Sequence, residues 1–380
     1  MRIVSVELWH VCMPLKSPWK TAYGSDDAQE SVIIKMTNSE GVYAYGEAAP
    51  FAAPTYSPEW AGGVFSLIRD WLAPRLLGEE IDDGYKLQEL LSIFKGNPFA
   101  KAGLDVCFWN LHAKMEGKPL HILLGATRDT CACGADFGVL DSLDALVARI
   151  GDAIEKGFPR IKLKMMPGWD TNMLDAVRDA FPHHVFHVDT NCGYALDDHI
   201  WSVIDKYKLA MVEQPLAYDD LNDHATLQQR ITTSVCLDES VKSLANAQQA
   251  IAMGACRYIN IKPGRVGGVT VAKQIHDYAA SKGVPCWVGG MLSSSIGAHS
   301  DIALAMLPNM SYPADIFPST KFYDQDLGRT PVELINVEGV GPSAVASASA
   351  PEPDDTLLTQ LTKQHALVAL APDGKRMSTS

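Results

Sequence analysis

At 380 residues and 47% hydrophobic content, the chain can bury a sizeable core; it is long for one ordinary domain and suited to a barrel with an accessory unit. A net charge of −13 argues against nucleic acid or an anionic membrane surface as partner, since both need a basic patch. No apolar run reaches the roughly 18 residues of a membrane span, and the N-terminal "MRIVSVELWHVCMPL" alternates like a strand instead of reading as a signal peptide, so a cytoplasmic protein is expected.

Residues 1–128 read as an α+β capping domain. "RIVSVELWHV" and "ESVIIKMTNSEGVYAYGEA" alternate around the turn Asn38-Ser39-Glu40-Gly41, predicting a small antiparallel sheet. "SPEWAGGVFSLIRDWLAPRLL" and "NPFAKAGLDVCFWNLHAKMEG" place apolar residues at helical spacing. Between the first strands, "LKSPWKTAYGSDD" is expected as a loop in which Trp19 and Tyr23 either wall a pocket or simply pack.

Over residues 129–325 short apolar strands alternate with helical segments, the pattern of βαβ units. The strand candidates are "CACGADF", "RIKLKMM", "VFHVD", "LAMVEQ", "SVCLDES", "YINIKPG", "PCWVGG" and "MSYPADI". Eight successive units predict a (β/α)8-type TIM barrel, an α/β fold whose chemistry sits at the C-terminal strand ends. Residues 326–380 read as a return segment packing toward the cap. Within it "SAVASASAPEPDD" is expected to be mobile, "TLLTQLTKQHALVAL" a last helix, and the end a loose tail. The eight cysteines show only Cys131-x-Cys133 as a close pair and no zinc spacing; the eleven histidines form no metal-binding cluster.

Asp189, Glu213, Asp238 and Lys262 end the third to sixth strands at steps of 213 − 189 = 24, 238 − 213 = 25 and 262 − 238 = 24 residues. One step is about one βα unit, so the three acids are expected to converge at one level. Singly, each could cap a helix or pair with a surface lysine. Together they would repel and raise one another's pKa, a conflict that a hard divalent cation removes; Mg2+ suits an all-oxygen site.

Lys162 and Lys164 share one face of the second strand, and Lys262 on the sixth stands across the barrel from Lys164. Opposed amines over a metal-bound carboxylate suit removal of an α-proton through an enediolate, provided burial and neighbouring cations lower a lysine pKa toward neutrality. Lys162 is such a neighbour and can hydrogen-bond a substrate carboxylate.

Lys162-x-Lys164, "DTN" with Asp189 and Asn191, "VEQP" with Glu213, "LDES" with Asp238 and Glu239, and "IKPGRVGG" with Lys262 together resemble the muconate-lactonising branch of the enolase superfamily. The cap segments "YGEAAPFAAPTYSPE" and "AKAGLDVCFWNLHAKMEGKPLHILLGA" extend the resemblance over about residues 1–340. It implies Mg2+, or Mn2+, on Asp189, Glu213 and Asp238, with Lys164 and Lys262 as the acid/base pair. "IKPGRVGG", "GGML", "PADI" and "KFYDQDL" are most similar to the o-succinylbenzoate synthase and N-acylamino acid racemase family, which implies syn dehydration, racemisation or both.

Where that family carries "ML-Glu-Thr/Ser-Gly", this chain reads "GGMLSSSIGAHSD", with Ser293 in place of the glutamate. Ser293 and Ser294 either bind substrate, beside Gly290 and Met291, or start a helix. "PCWVGG" lacks the histidine of mandelate-type members, and "YPADIFP" offers only Asp315 where dipeptide epimerases show Asp-x-Asp. A muconate-type cycloisomerase or another acid-sugar or amino-acid member shares the same metal and lysine set, and a silent small-acid-binding barrel is the non-enzyme alternative. The expected partners are a small carboxylate substrate and further copies of the chain.

Overall fold

The computed structural model describes residues 1–21, 24–371 and 376–379; Tyr23 lies outside them. Strands β1 (Ile3–Thr21) and β2 (Gly24–Asn38) pair antiparallel, and β3 (Tyr43–Ala48) adds to β2. Their alternation buries Val6, Leu8, Ile34 and Met36 against Phe65, Leu104 and Phe108 of the cap helices. The segment expected as a loop is instead hairpin: Leu15–Thr21 and Gly24–Asp27 continue both strands beyond an irregularity between Pro14 and Trp19.

The long cap helix Pro98–Glu116 starts at a proline with preset φ and stops at Gly117, whose φ of 63° only glycine adopts freely. Glu59 reaches in from the loop after β3 and accepts the amides of Phe99 and Ala100 at 2.8 and 3.0 Å, supplying missing N-terminal partners.

The second unit contains β4 (Thr130–Ala132), β5 (Ala135–Phe137), β6 (Ile161–Lys164), β7 (Phe186–Asp189), β8 (Val212–Glu213), β9 (Val235–Leu237), β10 (Tyr258–Ile261) and β11 (Cys286–Val288). Strands β5 to β11 form one parallel sheet in sequential order, curled around a continuous apolar core. The eighth candidate, 310–316, is not a regular strand, because Pro313 cannot donate to a ladder. It closes the ring through single hydrogen bonds: Ser311 N to Cys286 O (3.1 Å) and Asp315 N to Val288 O (2.9 Å) on one side, Ala314 N to Ala132 O (2.9 Å) and Gly134 N to Ala314 O (3.0 Å) on the other.

β12 (Ile335–Val337) and β13 (Gly341–Val345) pair with β4, and β14 (Thr362–Leu370) lies antiparallel to β1. The expected last helix covers only Asp355–Leu361; beyond it Ala366 and Val368 are buried at a spacing of two, and that period makes a strand. The end expected to be loose contributes β15 (Arg376–Thr379), in register with β14. The segment expected to be mobile is tied by Ala346 N to Asp129 O (2.8 Å) and Arg329 N to Glu352 O (2.9 Å).

Cap and barrel are joined at Asp105, which is fully buried on the long cap helix and accepts from Gln88 Nε2 (2.9 Å), Thr270 N (3.0 Å) and Thr270 Oγ1 (2.6 Å). Gly268, at φ 121°, makes room for it: a Cβ there would sit 2.4 Å from Asp105. Asp105→Ala leaves these donors buried without an acceptor and is expected to cost about 1–3 kcal/mol, measured as a fall in the urea midpoint.

Candidate active site

Alternation along β6 and the residue before it turns Arg160, Lys162 and Lys164 to one side, into the barrel. Lys162 is 4% exposed and lies 3.0 Å from Asp189 Oδ2, 2.8 Å from Glu213 Oε2 and 3.0 Å from Asp315 Oδ2. Burial alone would lower its pKa, but Asp189, Asp315 and Glu213 outweigh burial and hold it well above the ordinary lysine value. Burial pushes Glu213 up, yet Lys162 and the neighbouring His187 hold it well below the carboxylate range. His187 itself is held down to about 4 by burial and stays neutral.

Arg160 is wholly buried, donating to Asp136 Oδ1 (2.8 Å), Asp315 Oδ1 (2.5 Å) and Pro313 O (2.7 Å). Gly134 is required above it, since a Cβ would meet the guanidinium carbon at 2.1 Å. Lys164 Nζ donates to Asp189 Oδ2 (2.7 Å) and Asn191 Oδ1 (2.6 Å). Lys262 Nζ, four strands on, donates to Asp238 Oδ2 (2.8 Å) and Tyr56 OH (3.1 Å). Arg265 Nη1 takes the other oxygen of Asp238, and Asn260 Nδ2 takes Glu213 Oε1 at 2.6 Å.

Lys162, expected as the cationic neighbour of the base, and Lys262, expected to support the enediolate as a cation, are both held charged. At Lys262 too burial lowers the pKa, but Tyr56, Glu239 and Glu213 outweigh it and the net shift is upward. Asp189, Glu213 and Asp238, at neighbouring strand ends, each turn to an ammonium or guanidinium, which eases the repulsion among them; among the described residues no three such side chains converge on one point as they stand.

Backbone geometry sets the strand ends. Asn191 (φ 44°) and Gln214 (φ 40°), just beyond β7 and β8, adopt left-handed conformations that are uncommon outside glycine and collect at functional sites. Buried Gln214 secures its turn by accepting from Asp238 N (3.0 Å) and Ser240 N (3.1 Å) and donating to Ser240 Oγ (2.8 Å).

One cavity under the cap is lined by Trp19, Lys162, Lys164, Asp189, Asn191, Lys262, Gly290, Met291 and Asp315. Glu213 and Asp238 lie buried beneath its floor, and Glu239 accepts from Asn191 Nδ2 at 3.1 Å. Trp19 both lines the cavity and packs edge-on against Phe322. Ser293 and Ser294 are not part of the wall. Ser294 caps the helix Ser295–Ala305, and its hydroxyl donates to buried Glu47 of β3 at 2.6 Å, so the serine run is a helix start.

Sequence reasoning missed Arg160, Asp136, Tyr56, Gln214 and Arg265. Arg160 has the same parity as the two lysines, and Arg265 lies one helical turn beyond Lys262, signals that were present. Tyr56 arrives from a cap loop, and nothing local announces it.

Asp315 answers two buried cations. Burial would raise its pKa, but Lys162 and Arg160 hold it well below the usual range. A folded pKa below the unfolded one gives stability that is present above about pH 4 and is lost as pH falls toward the folded value. Asp315→Asn is expected to cost about 3–5 kcal/mol at pH 7 and less at pH 3, compared by urea unfolding at the two pH values.

Comparison with known proteins matches residues 3–125 to the family described as "Mandelate racemase / muconate lactonizing enzyme, N-terminal domain" and residues 145–338 to "Enolase C-terminal domain-like". The chain is 38% identical to an o-succinylbenzoate synthase of Geobacillus kaustophilus, over 88% of this chain and 90% of that one. It is 37% identical to an N-succinylamino acid racemase of Amycolatopsis sp, over 86% and 89%. A crystal structure of an enolase superfamily member from Listeria innocua superposes with a TM-score of 0.92 at 32% identity, covering 98% of this chain and 100% of that one.

Proposed function

The chain belongs to the enolase superfamily, a family of enzymes, and from that premise we propose that it removes the proton α to a substrate carboxylate, serving o-succinylbenzoate synthesis, N-succinylamino acid racemisation or both. The observation that carries this reading is the pair Lys164 and Lys262. Both line one cavity, from strands β6 and just past β10, with three strands between them in a ring of eight positions. A planar carbon held between them presents one face to each amine.

We assign Asp189, Glu213 and Asp238 to a divalent ion, Mg2+ or alternatively Mn2+; superfamily members bind such a metal. The donor set fits: three buried carboxylates at the ends of neighbouring strands, all oxygen, with Glu213 Oε2 lacking an aligned hydrogen-bond donor and Oε1 fixed by Asn260. A bound ion supplies Lewis-acid stabilisation of the charge that builds on the substrate carboxylate and draws off the carboxylate charge that keeps nearby lysines protonated.

Lys164, aimed by Asn191 and Asp189, takes the α-proton. Lys262, kept as ammonium, faces the enediolate charge during dehydration, in which the β-hydroxyl leaves as water with the proton that Lys164 took, or returns a proton to the opposite face during racemisation. Lys162 stays charged and holds the floor acids in place. Trp19 and Phe322 limit water at the mouth. Among the described residues no helix is long and apolar enough to cross a membrane. The reading includes a cytoplasmic location, supported by the buried free thiols of Cys107, Cys236 and Cys286, and assembly from copies of the chain, for which exposed Trp71 and Ile93 offer apolar surface.

The test is α-proton exchange of N-succinyl amino acids in deuterated water with Mg2+, followed by NMR. Lys164→Ala and Lys262→Ala should each reduce turnover by at least about 10²-fold, and exchange surviving in the double variant would sink the reading. Titration calorimetry should show Mg2+ binding that Asp238→Ala weakens by more than about tenfold.

A further inference from the structure

Beside the catalytic cavity lies a second one, of ≈ 470 Å³, between the cap hairpin and the loop after β5. The two share Trp19, Asp136 and Phe322 as walls. The second is lined by two cations, Lys321 and Arg149, neither of which has a salt-bridge partner among the described residues. Lys321 packs its ammonium over Phe317, 3.4 Å from the ring centroid, with Phe322 and Trp19 at 5.5 and 6.0 Å. Arg149 lies over Phe137 at 5.8 Å.

Ring faces attract an ammonium, but a desolvated one with no carboxylate in contact is still costly to keep charged. Burial accordingly lowers Lys321 to about 8, with Asp136 and Asp315 pulling it back up. Of the two acids in the same cavity, Asp136 is already bound to Arg160, and Asp141 sits exposed at the rim. The inner end of the cavity therefore offers a cation with no carboxylate in contact, next to the place where the reacting carbon would sit.

The relatives described above are named for succinyl compounds, whose four-carbon acyl chain ends in a carboxylate. Building on the proton-abstraction reading, we propose that Lys321, assisted by Arg149, receives the distal carboxylate of such an acyl chain where it reaches past the wall that the two cavities share. These residues make the enzyme select acyl groups that end in a carboxylate over neutral ones of equal length. Selection by charge has a physical basis: a neutral chain would leave the ammonium buried and unpaired, whereas a carboxylate forms a charge-assisted hydrogen bond in a desolvated setting.

The experiment compares N-succinyl- and N-butyryl-phenylalanine, which have the same acyl chain length with and without the terminal charge, on the Mg2+-loaded enzyme. Equilibrium binding is measured by calorimetry and kcat/KM by α-proton exchange. Wild type should favour the succinyl compound, and Lys321→Met should reduce that preference by roughly 10–100-fold in both measurements. Arg149→Met should reduce it less, and Lys321→Arg should keep most of it.

An unchanged preference in Lys321→Met, an equal loss for both compounds, or no binding of either to wild type overturns the proposal. If Lys321 governs binding while wild type exchanges no α-proton, the catalytic reading fails and the subsite stands. If exchange proceeds with a preference indifferent to Lys321, the reverse holds.

Discussion

One ammonium group, that of Lys162, stands within 3.0 Å of carboxylates from three separate segments: Asp189 of β7, Glu213 of β8 and Asp315 of the ring-closing segment. Removing any member leaves a buried charge uncompensated, which is far worse than never having had the charge. Register follows from this. A slip of one residue in β6 would turn Lys162 and Lys164 out of the barrel and Leu163 in, so the charge pattern and the apolar pattern enforce the same pairing. Arg160 extends the constraint one step lower, binding Asp136 of β5 and Asp315 across the seam. The polar interior is thus part of what closes the ring, in the one place where a regular strand is missing.

The division of labour between the two units is physical. The barrel supplies fixed charges at strand ends, where short buried strands hold them with little freedom. The cap supplies Trp19 and Tyr56, which give the cavity its walls and bring a phenol to Lys262 and Asp238. Glu47 secures the junction: it accepts the amides of Ser294 and Gly297, both at 3.1 Å, at the start of a barrel helix, although burial pushes its pKa up to about 7. A cap that moved independently would expose these amides, so the walls of the cavity are as well fixed as its floor.

Much of this was legible because period and spacing are local properties. Steps of 24 and 25 residues placed Asp189, Glu213, Asp238 and Lys262 at successive strand ends, and the K-x-K alternation put Lys162 and Lys164 on one face. The errors arose where tertiary context chose between local options. Thr362–Leu370 has helix-compatible residues but found an open edge of β1; Leu15–Thr21 has Pro and Ser but found β2. Pro313 was visible as an obstacle to strand formation, yet the eighth segment still closes the ring by single bonds. The cations that pair with these acids, Arg265 above all, were harder to read, because a pairing across strands leaves no local period. Which of Ser293's neighbours faced substrate could not be read locally, because Glu47, which decides the matter, lies about 250 residues earlier.

The pairing of Ser5 with Ala369 joins positions at nearly opposite ends of the chain. The edge of β1 that β14 covers is therefore open for as long as the barrel is still being synthesised, and an uncovered strand edge is a template for joining another chain. Loop-closure entropy rises only slowly with length, so the final docking of β14 costs little more than a shorter closure would. Its burden is one of timing: a nascent chain carries a half-finished sheet through the whole synthesis of the catalytic unit. Truncation or delay near residue 362 would thus act on aggregation before it acted on catalysis, although no group of the cavity lies in that strand.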